Sequence, residues 1–175
     1  MVESPLTLAW LESPVGTLAA GATSEALVLL EYIDDMPHAE VTAALELRFG
    51  QSVKEGKNPH LKLLRKELAA YFAGTLTEFT VPLSYPGSKF QEQVWGELLK
   101  IPYGETRSYQ NIADALGIPS ATRAVGTANG QNRIAIVIPC HRVVNTGGAL
   151  GGYSGGLWRK RHLLDLEHGQ RGLGI

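Results

Sequence analysis

The sequence predicts a mixed α/β protein in two parts, a small N-terminal α/β domain over residues 1–85 and a mostly helical C-terminal domain over residues 86–175. Three observations predict this arrangement. The chain opens with a hairpin pattern and a third strand-like run, its later segments have helical spacing, and the poorly periodic stretch TLTEFTVPLSYPGS contains two prolines. With 44% hydrophobic and 19% charged residues, 175 residues are enough to bury a core.

The first half contains three strands followed by two helices. LTLAWLESPVGTLAAGA predicts a hairpin that turns around Pro14, and ALVLLEYI predicts the third strand. HAEVTAALELRFG places apolar residues four apart and predicts a helix that ends at Gly50. A second helix begins after the capping residue Asn58 and ends at Gly74. The strand-like FTVPL follows, and the domain boundary is predicted near residues 82–88.

The second half begins with a capping signal and contains a helix-turn-helix pattern. Ser88 and Gln91 form a capping box at the start of a helix. SYQNIADALG predicts a short helix that begins after Ser108 and stops at Gly117, and ATRAVGTAN predicts a second helix. Two short helices joined by a tight turn are typical of DNA-binding proteins. The same pattern also occurs in helical proteins that do not bind DNA.

The two halves carry opposite net charge. Residues 1–85 contain 6 Lys and Arg against 11 Asp and Glu, a net charge of −5, and residues 86–175 contain 10 against 6, a net charge of +4. A basic half favours contact with a polyanion, such as nucleic acid. A chance partition of surface charge is the alternative.

The sequence argues against a membrane protein, a metal-binding protein and a disulfide-bonded protein. The acidic start MVESPLTLAW lacks the basic segment of a signal peptide, and the longest apolar runs are too short to span a bilayer. We therefore expect a cytoplasmic protein with no membrane partner. The single cysteine excludes an internal disulfide, and the five histidines show no zinc-ligand spacing, so no metal site is expected.

The single cysteine, Cys140, lies in the stretch IVIPCHRVV. The apolar run that ends at Ile138 predicts a buried strand, which Pro139 would end because proline cannot donate to a ladder. Cys140 would then lie just beyond a strand, directly before His141. A buried structural thiol is the alternative, since free cysteines are commonly buried.

The second helix of the helix-turn-helix pattern has a surface of small residues. It presents Ala121, Ala124, Gly126 and Ala128, with Arg123 as its one long side chain. Such a helix could approach DNA closely, would read few base edges, and could insert its arginine into the base stack. Simple packing of a small-residue helix against another helix is the alternative.

Two charged residues lie within the apolar stripe of the last helix. Projection at about 100° per residue places Lys160 and Glu167 between Leu163 and Leu164. A carboxylate that faces a core needs a partner, and His141 is the imidazole available, through a local turn or a water. A partly exposed salt bridge between Lys160 and Glu167 is the alternative.

Six collinear motifs between residues 88 and 169 resemble the O6-alkylguanine-DNA alkyltransferase family: FQEQVWGELLKIPYGE, SYQNIA, RAVGTANGQN, IPCHRVV, GYSGG and RKRHLLDLEHG. Residues 1–85 resemble the family in outline only, with KELAAYFAG as the best match. The resemblance implies a ribonuclease-H-like N-terminal domain and a winged-helix-like C-terminal domain. Some members hold zinc through cysteines in the first domain, which this chain lacks. A pseudo-enzyme branch lacks the reactive cysteine, which this chain keeps.

The resemblance implies a role for each matching residue of the reactive centre. Cys140 would accept the alkyl group, His141 would deprotonate it through a water, and Glu167 would orient His141. Asn132 would brace the turn beside the cysteine. Tyr109 would place its hydroxyl near the extruded base.

The resemblance also implies the substrate and the mode of DNA binding. Double-stranded DNA containing O6-alkylguanine would bind through its minor groove to a monomer, with O4-alkylthymine as a second candidate substrate. Tyr153, Ser154 and Lys160 would contact the base, and Arg123 would fill the gap that the base leaves. The thioether product is stable, so each molecule would act once and need no cofactor. The DNA-binding set would comprise Tyr109, Ala121, Arg123, Ala124, Thr127 and Ala128.

Two other classes of protein share part of this pattern. A thiol hydrolase or peptidase would also use Cys140, His141 and Glu167, but it would turn over repeatedly and would not need Arg123. A DNA-binding module would keep Arg123 and the basic half, yet it would lose nothing on substitution of Cys140.

Overall fold

The computed structural model describes residues 4–173, and the chain divides into two compact units between Tyr85 and Pro86. The acidic start at Met1–Glu3, which argued against a signal peptide, lies outside the described residues. Within the described part of the chain, no helix combines the length and apolarity needed to cross a membrane.

The N-terminal unit is built on a four-stranded sheet with the order β3-β2-β1-β4. The predicted hairpin pairs β1 with β2, and β2 pairs antiparallel with β3, whereas β4 is parallel to β1. The sheet packs its buried Leu, Val and Ala side chains into the core of this unit. The strands are β1 (Leu6–Leu11), β2 (Leu18–Ala22), β3 (Leu27–Tyr32) and β4 (Val53–Glu55).

Two helices complete this unit, α1 (His38–Phe49) and α2 (Pro59–Phe72). The carboxamide oxygen of Asn58 accepts hydrogen bonds from the first backbone N–H groups of α2, as the capping pattern predicts. Gly50 ends α1 in the left-handed conformation, with φ at 64°. Both predicted helices are confirmed.

The strand-like FTVPL segment is not a strand. The Glu67 carboxylate accepts hydrogen bonds from the backbone N–H groups of Thr80 and Val81, so a side chain replaces a neighbouring strand as partner. Pro82 has no N–H to donate, and only Leu83 forms an isolated bridge, with Leu27 of β3.

The C-terminal unit is mainly helical, as predicted. Ser88 and Gln91 form the capping box at the start of α3. The two-residue strands β5 and β6 pair in parallel, with Ser108 opposite Val144. This pairing places the start of α4 next to the segment that follows Cys140. The helices and strands are α3 (Lys89–Leu98), β5 (Arg107–Ser108), α4 (Tyr109–Ala115), α5 (Thr122–Gly130), β6 (Val143–Val144) and α6 (Leu157–Leu173).

The helix-turn-helix pattern is formed by α4 and α5. Gly117 adopts a φ of 73° in the turn, a conformation that glycine adopts without steric cost. Gln110 of α4 donates to the Pro119 carbonyl in the turn and accepts from the Thr122 hydroxyl of α5. These hydrogen bonds fix the angle at which α5 leaves the turn.

The apolar run before Cys140 is buried but is not a strand, which corrects the sequence prediction. Ile136 has a φ of 71°, incompatible with an extended strand, and Ile138 N–H donates to the Ile134 carbonyl within the run. The segment therefore forms tight turns in the core. Cys140 then begins a one-turn 3₁₀ helix, Cys140–Arg142.

Candidate functional site

The Cys140 thiol is buried, with 4% of the residue exposed, and is held by Asn132. Asn132 Nδ2 donates to Cys140 Sγ at 3.1 Å and to the Ile138 carbonyl at 2.9 Å, which joins the cysteine to the preceding turn. Burial raises the pKa of the Cys140 thiol, while the hydrogen bond from Asn132, the charge of Lys160 and a hydrogen bond from Tyr153 act in the opposite direction. The thiol therefore needs a base to become a nucleophile.

The side chain of His141 reaches Glu167 of α6 in the interior of the unit. His141 Nε2 lies 2.8 Å from Glu167 Oε1, and both side chains are 0% exposed. Arg142 contacts the same carboxylate through Nε and Nη2, at 3.0 Å and 2.8 Å. The backbone N–H of Gly104 also donates to Glu167 Oε2 at 3.4 Å.

The charge states in this cluster follow from burial and from the partners. Burial alone would raise the pKa of Glu167, but hydrogen bonds and charges from His141 and Arg142 lower it to about 2. Burial is the main cause that lowers the pKa of His141. A neutral imidazole beside a carboxylate carries its proton on the nitrogen that faces it, here Nε2. His141 Nδ1 is then the unprotonated nitrogen, and this buried atom has no hydrogen-bond partner among the described residues.

The alternative of a partly exposed Lys160–Glu167 salt bridge is wrong. Both residues are 0% exposed, and the partners of Glu167 come from other segments. Lys160 Nζ donates to the Val143 carbonyl at 2.5 Å and to the Gly152 carbonyl at 3.1 Å. Burial lowers the pKa of Lys160 to about 8. The Tyr109 hydroxyl donates to the same Gly152 carbonyl at 3.5 Å.

A surface cavity of about 660 Å³ lies between α5 and the glycine-rich loop that follows β6. Arg123 stands on its α5 side and is exposed, whereas Tyr153 and Ser154 stand on the loop side. A cavity of this volume lies within the usual range of small-molecule binding sites. It is lined by Tyr109, Thr122, Arg123, Gly126, Thr127, Asn129, Gly130, Asn145, Gly152, Tyr153 and Ser154.

The faces of α5 correct one residue of the predicted DNA-binding set. Ala124 and Thr127 are exposed beside Arg123, and Ala121 is half-buried. Ala128 is 2% exposed, and its carbonyl accepts a hydrogen bond from Trp95 Nε1 of α3 at 2.9 Å. Ala128 therefore packs inward and does not belong to the exposed face.

Both halves of the chain match models of one protein family. Residues 6–85 match the ribonuclease-like domain of 6-O-methylguanine DNA methyltransferase, and residues 89–169 match its DNA-binding domain. A methylated-DNA–protein-cysteine methyltransferase of Mycolicibacterium paratuberculosis is 46% identical over 158 residues, which cover 89% of this chain and 88% of that protein. The chain belongs to this methyltransferase family. The resemblance in the motifs around Cys140 is thereby confirmed.

Further relatives support the same assignment. The methylated-DNA–protein-cysteine methyltransferase of Mycobacterium tuberculosis is 62% identical over 101 residues, a match that spans 58% of this chain and 61% of that protein. The crystal structure of the M. tuberculosis O6-methylguanine methyltransferase superimposes with a TM-score of 0.80 at 43% identity, over 94% of each chain. A structure of the M. tuberculosis protein in complex with DNA has a TM-score of 0.79 at 43% identity, over 94% of this chain and 93% of that one. The predicted fold class is confirmed.

The methyltransferase fold brings most of the predicted site residues into one part of the C-terminal unit. Cys140 contacts Asn132, His141 contacts Glu167, and Lys160 and Tyr109 converge on one loop carbonyl. Within residues 4–173, no three His, Cys, Asp or Glu side chains are grouped so that they could hold a metal ion.

Sequence reasoning missed two residues of this site. Arg142 lies inside the quoted motif IPCHRVV, and its charge next to an apolar run was the available signal that it needs a buried partner. Asn129 is buried in α5 and donates from Nδ2 to the Cys140 carbonyl at 3.4 Å. No pattern in the sequence distinguishes Asn129 from a helix-ending asparagine.

Proposed function

We propose that this chain repairs DNA by direct reversal, in which an alkyl group passes from O6-alkylguanine in double-stranded DNA to Cys140, once per protein molecule. The observation that carries the proposal is the combination of a buried thiol, an adjacent imidazole held by a carboxylate, and a surface cavity beside an exposed arginine. The names of the relatives support the same reaction class.

His141 supplies the base in this reaction. A buried ring nitrogen is normally hydrogen-bonded, and His141 Nδ1 has no protein partner among the described residues, so this atom is available to a water that relays the proton from Cys140 Sγ. The thiol proton moves through this water to Nδ1, and the imidazolium is stabilised by Glu167. Glu167 does not take up the proton, because its pKa of about 2 keeps it ionised.

The thiolate then attacks the alkyl carbon. The S–C bond forms as the C–O bond breaks, and the electron pair stays on guanine, which must accept a hydrogen bond or a proton. Burial raises the pKa of Tyr109, which keeps its hydroxyl protonated as a donor at the edge of the cavity. Lys160, Tyr153 and Ser154 complete the base-binding surface. Water does not displace a thiolate from an unactivated alkyl carbon, so the product is final.

DNA binds through its minor groove to the exposed face of α5, and the protein acts as a monomer. Ala121, Ala124 and Thr127 are small enough to allow close approach, and Arg123 enters the stack in place of the extruded nucleotide. Little sequence preference follows, since this face carries few side chains that can read base edges.

The test is intact-protein mass after incubation with a duplex that contains one O6-methylguanine. One methyl group per protein is expected, on Cys140, and none on the Cys140→Ala variant or with an undamaged duplex. Multiple turnovers would instead favour a thiol hydrolase. Methylation of another residue, or DNA binding without any transfer, would refute the proposal.

A further inference from the structure

The Arg142 guanidinium is an additional member of the buried His141–Glu167 cluster. Its side chain is 8% exposed. Nε and Nη2 both donate to the Glu167 carboxylate, and Nη1 donates to the Ile101 carbonyl at 2.7 Å. The Tyr103 ring centroid lies 5.7 Å from Arg142 Cζ. The guanidinium is thus fixed from several sides.

One carboxylate oxygen serves both the imidazole and the guanidinium. Glu167 Oε1 lies 2.8 Å from His141 Nε2 and 2.8 Å from Arg142 Nη2. A buried anion stabilises a proton on whichever neighbour can accept one. If Glu167 had no guanidinium beside it, the neighbouring group able to become a cation would be His141. Arg142 already supplies the compensating charge, so the imidazole can stay neutral.

This division of charge matters for the base. A protonated His141 carries hydrogen on both ring nitrogens and cannot accept a proton from the thiol. We infer that Arg142 is a positioning residue for the transfer reaction, and that its guanidinium neutralises Glu167 so that His141 Nδ1 stays available to accept the Cys140 proton. The inference rests on the proposed function, because it concerns the base of that reaction.

Other groups also act on His141. Glu167 and Lys160 approach from α6, Cys140 precedes it in the 3₁₀ helix, and Tyr103 lies near Glu167 before β5. Burial is the main cause that lowers the pKa of His141, and the charges of Arg142 and Lys160 lower it further. The Lys160 ammonium group donates to two backbone carbonyls and not to the carboxylate. The direct contact with Glu167 makes the Arg142 effect separable from that of Lys160.

The decisive measurement is the pKa of His141, followed by NMR on protein labelled with ¹⁵N in its histidines and assigned with a His141→Gln variant. Arg142→Met should raise the pKa of His141 by about one pH unit or more, because the unneutralised carboxylate stabilises the imidazolium. Arg142→Lys should raise it less, since lysine keeps the charge but not the two-nitrogen contact. The control Arg159→Met removes another buried arginine of the same unit and should leave the pKa of His141 unchanged.

A double variant keeps the inference testable if Arg142→Met alone does not fold. Arg142→Met combined with Glu167→Gln removes both charges, so no buried carboxylate remains unpaired, and the pKa of His141 should fall back to the wild-type value or below. If Arg142→Met folds and the pKa of His141 is unchanged or lower, the inference is wrong. If the double variant raises the pKa of His141 above the wild-type value, the inference is also wrong.

Thiol reactivity gives a second readout that does not require DNA repair. The rate of Cys140 alkylation by iodoacetamide falls at acidic pH, where the thiolate is protonated. In Arg142→Met this fall should occur at a higher pH than in the wild type, because loss of a nearby cation favours protonation of the coupled Cys140–His141 pair. The same pH dependence in both proteins would contradict the inference. These measurements do not depend on methyl transfer, so an inactive wild-type protein with the expected shifts would refute the proposed function but not the effect of Arg142 on the proton affinity of His141.

Discussion

The two units of this chain bury different kinds of residue. In the N-terminal unit the described core is a sheet of Leu, Val and Ala, and its one buried charged residue among those described is Glu67. The C-terminal unit buries a histidine, two arginines, a lysine and a glutamate: His141, Arg142, Arg159, Lys160 and Glu167. Burial of charge costs desolvation and is weak evidence for stability. The cluster of buried ionisable groups therefore favours the second unit as the place of the chemistry.

Two buried glutamates show the contrast most directly. Glu67 of α2 accepts hydrogen bonds from neutral donors, the Thr80 hydroxyl and two backbone N–H groups. Glu167 of α6 contacts a guanidinium and an imidazole. Both carboxylates are satisfied, but only Glu167 can alter the proton affinity of a neighbouring side chain.

Removal of each carboxylate is expected to give the largest effects. Glu167→Ala strands the buried Arg142 cation and should lower the free energy of unfolding of its unit by about 3–5 kcal/mol. Glu67→Ala leaves neutral donors unpaired and should cost about 1–3 kcal/mol. Amide hydrogen exchange resolves the two units separately. Only Glu167→Ala should change the pH dependence of Cys140 alkylation, and an equal change in Glu67→Ala would remove the distinction between the units.

Acid should destabilise the C-terminal unit through the same cluster. The pKa of Glu167 is lowered to about 2 in the folded state, so its contribution is present above its unfolded pKa of about 4.3 and is lost as the pH falls towards 2. The lowered pKa of His141 acts in the same direction, because acid favours its protonated form in the unfolded chain. The loss attributable to Glu167 is up to about 3 kcal/mol.

The control for the acid effect is Glu167→Gln. Equilibrium unfolding in urea at a series of pH values from 7 to about 3 should show a shallower dependence in this variant than in the wild type. An identical pH dependence in the two proteins would show that Glu167 is not the group responsible.

The comparison also separates what the sequence predicts from what it does not. Local signals placed most helices and strands, because Asn58 and Ser88 are capping residues and the apolar spacing is regular. The sequence predicts a strand for the run that ends at Ile138, because buried apolar residues look alike in strands and in buried turns. The left-handed Ile136 is imposed by tertiary packing, which no local pattern records.

The site was predictable only in part for the same reason. The position of Glu167 within an apolar stripe indicates that it has a buried partner, and in the structure that partner is His141. Arg142 reaches the same carboxylate because residues 140–142 form a 3₁₀ helix, whereas the sequence predicted the end of a strand there. The direction of a side chain after a wrongly assigned element cannot be derived from spacing.

A smaller effect is expected on the exposed face of α5. If Arg123 fills the gap left by the extruded nucleotide, Arg123→Ala should slow repair of a duplex lesion roughly tenfold, which corresponds to about 1.4 kcal/mol of lost stabilisation. Reaction with free O6-benzylguanine needs no extrusion and should be little changed. Arg123→Lys should restore part of the duplex rate, because lysine lacks the planar guanidinium.

The matched control is Arg133→Ala, which removes another exposed arginine of the same unit. Arg133→Ala should slow the duplex reaction and the free-base reaction only slightly, and by the same factor. An arginine that only contacts phosphate would weaken binding to damaged and undamaged DNA alike and reduce the salt dependence, so each rate is measured at two salt concentrations. Equal losses on duplex and free base in Arg123→Ala would rule out its role in extrusion.

The smallest effect compares one helix cap in each unit. The Asn58 side chain accepts from the first N–H groups of α2, and the Ser108 hydroxyl accepts from the Asn111 N–H in α4. Replacement of either by alanine should lower the free energy of unfolding by about 1 kcal/mol, because backbone N–H groups in the first turn of the helix lose their side-chain acceptor. Thermal unfolding of the two variants checks that they lose the same amount of stability.

Loss of these two caps should have different effects on the rate of methyl transfer. Tyr109 is the first residue of α4, directly after Ser108, and its hydroxyl reaches the Gly152 carbonyl at the cavity. Fraying of this turn in Ser108→Ala displaces the Tyr109 donor, so methyl transfer should slow severalfold, whereas Asn58→Ala should leave the rate unchanged at a temperature where both variants are folded. Ser108→Asp retains a capping oxygen and should restore the rate. Equal transfer rates in Ser108→Ala and Asn58→Ala would show that the position of Tyr109 does not depend on this cap, and the contrast between the two units would then not extend to the helix termini.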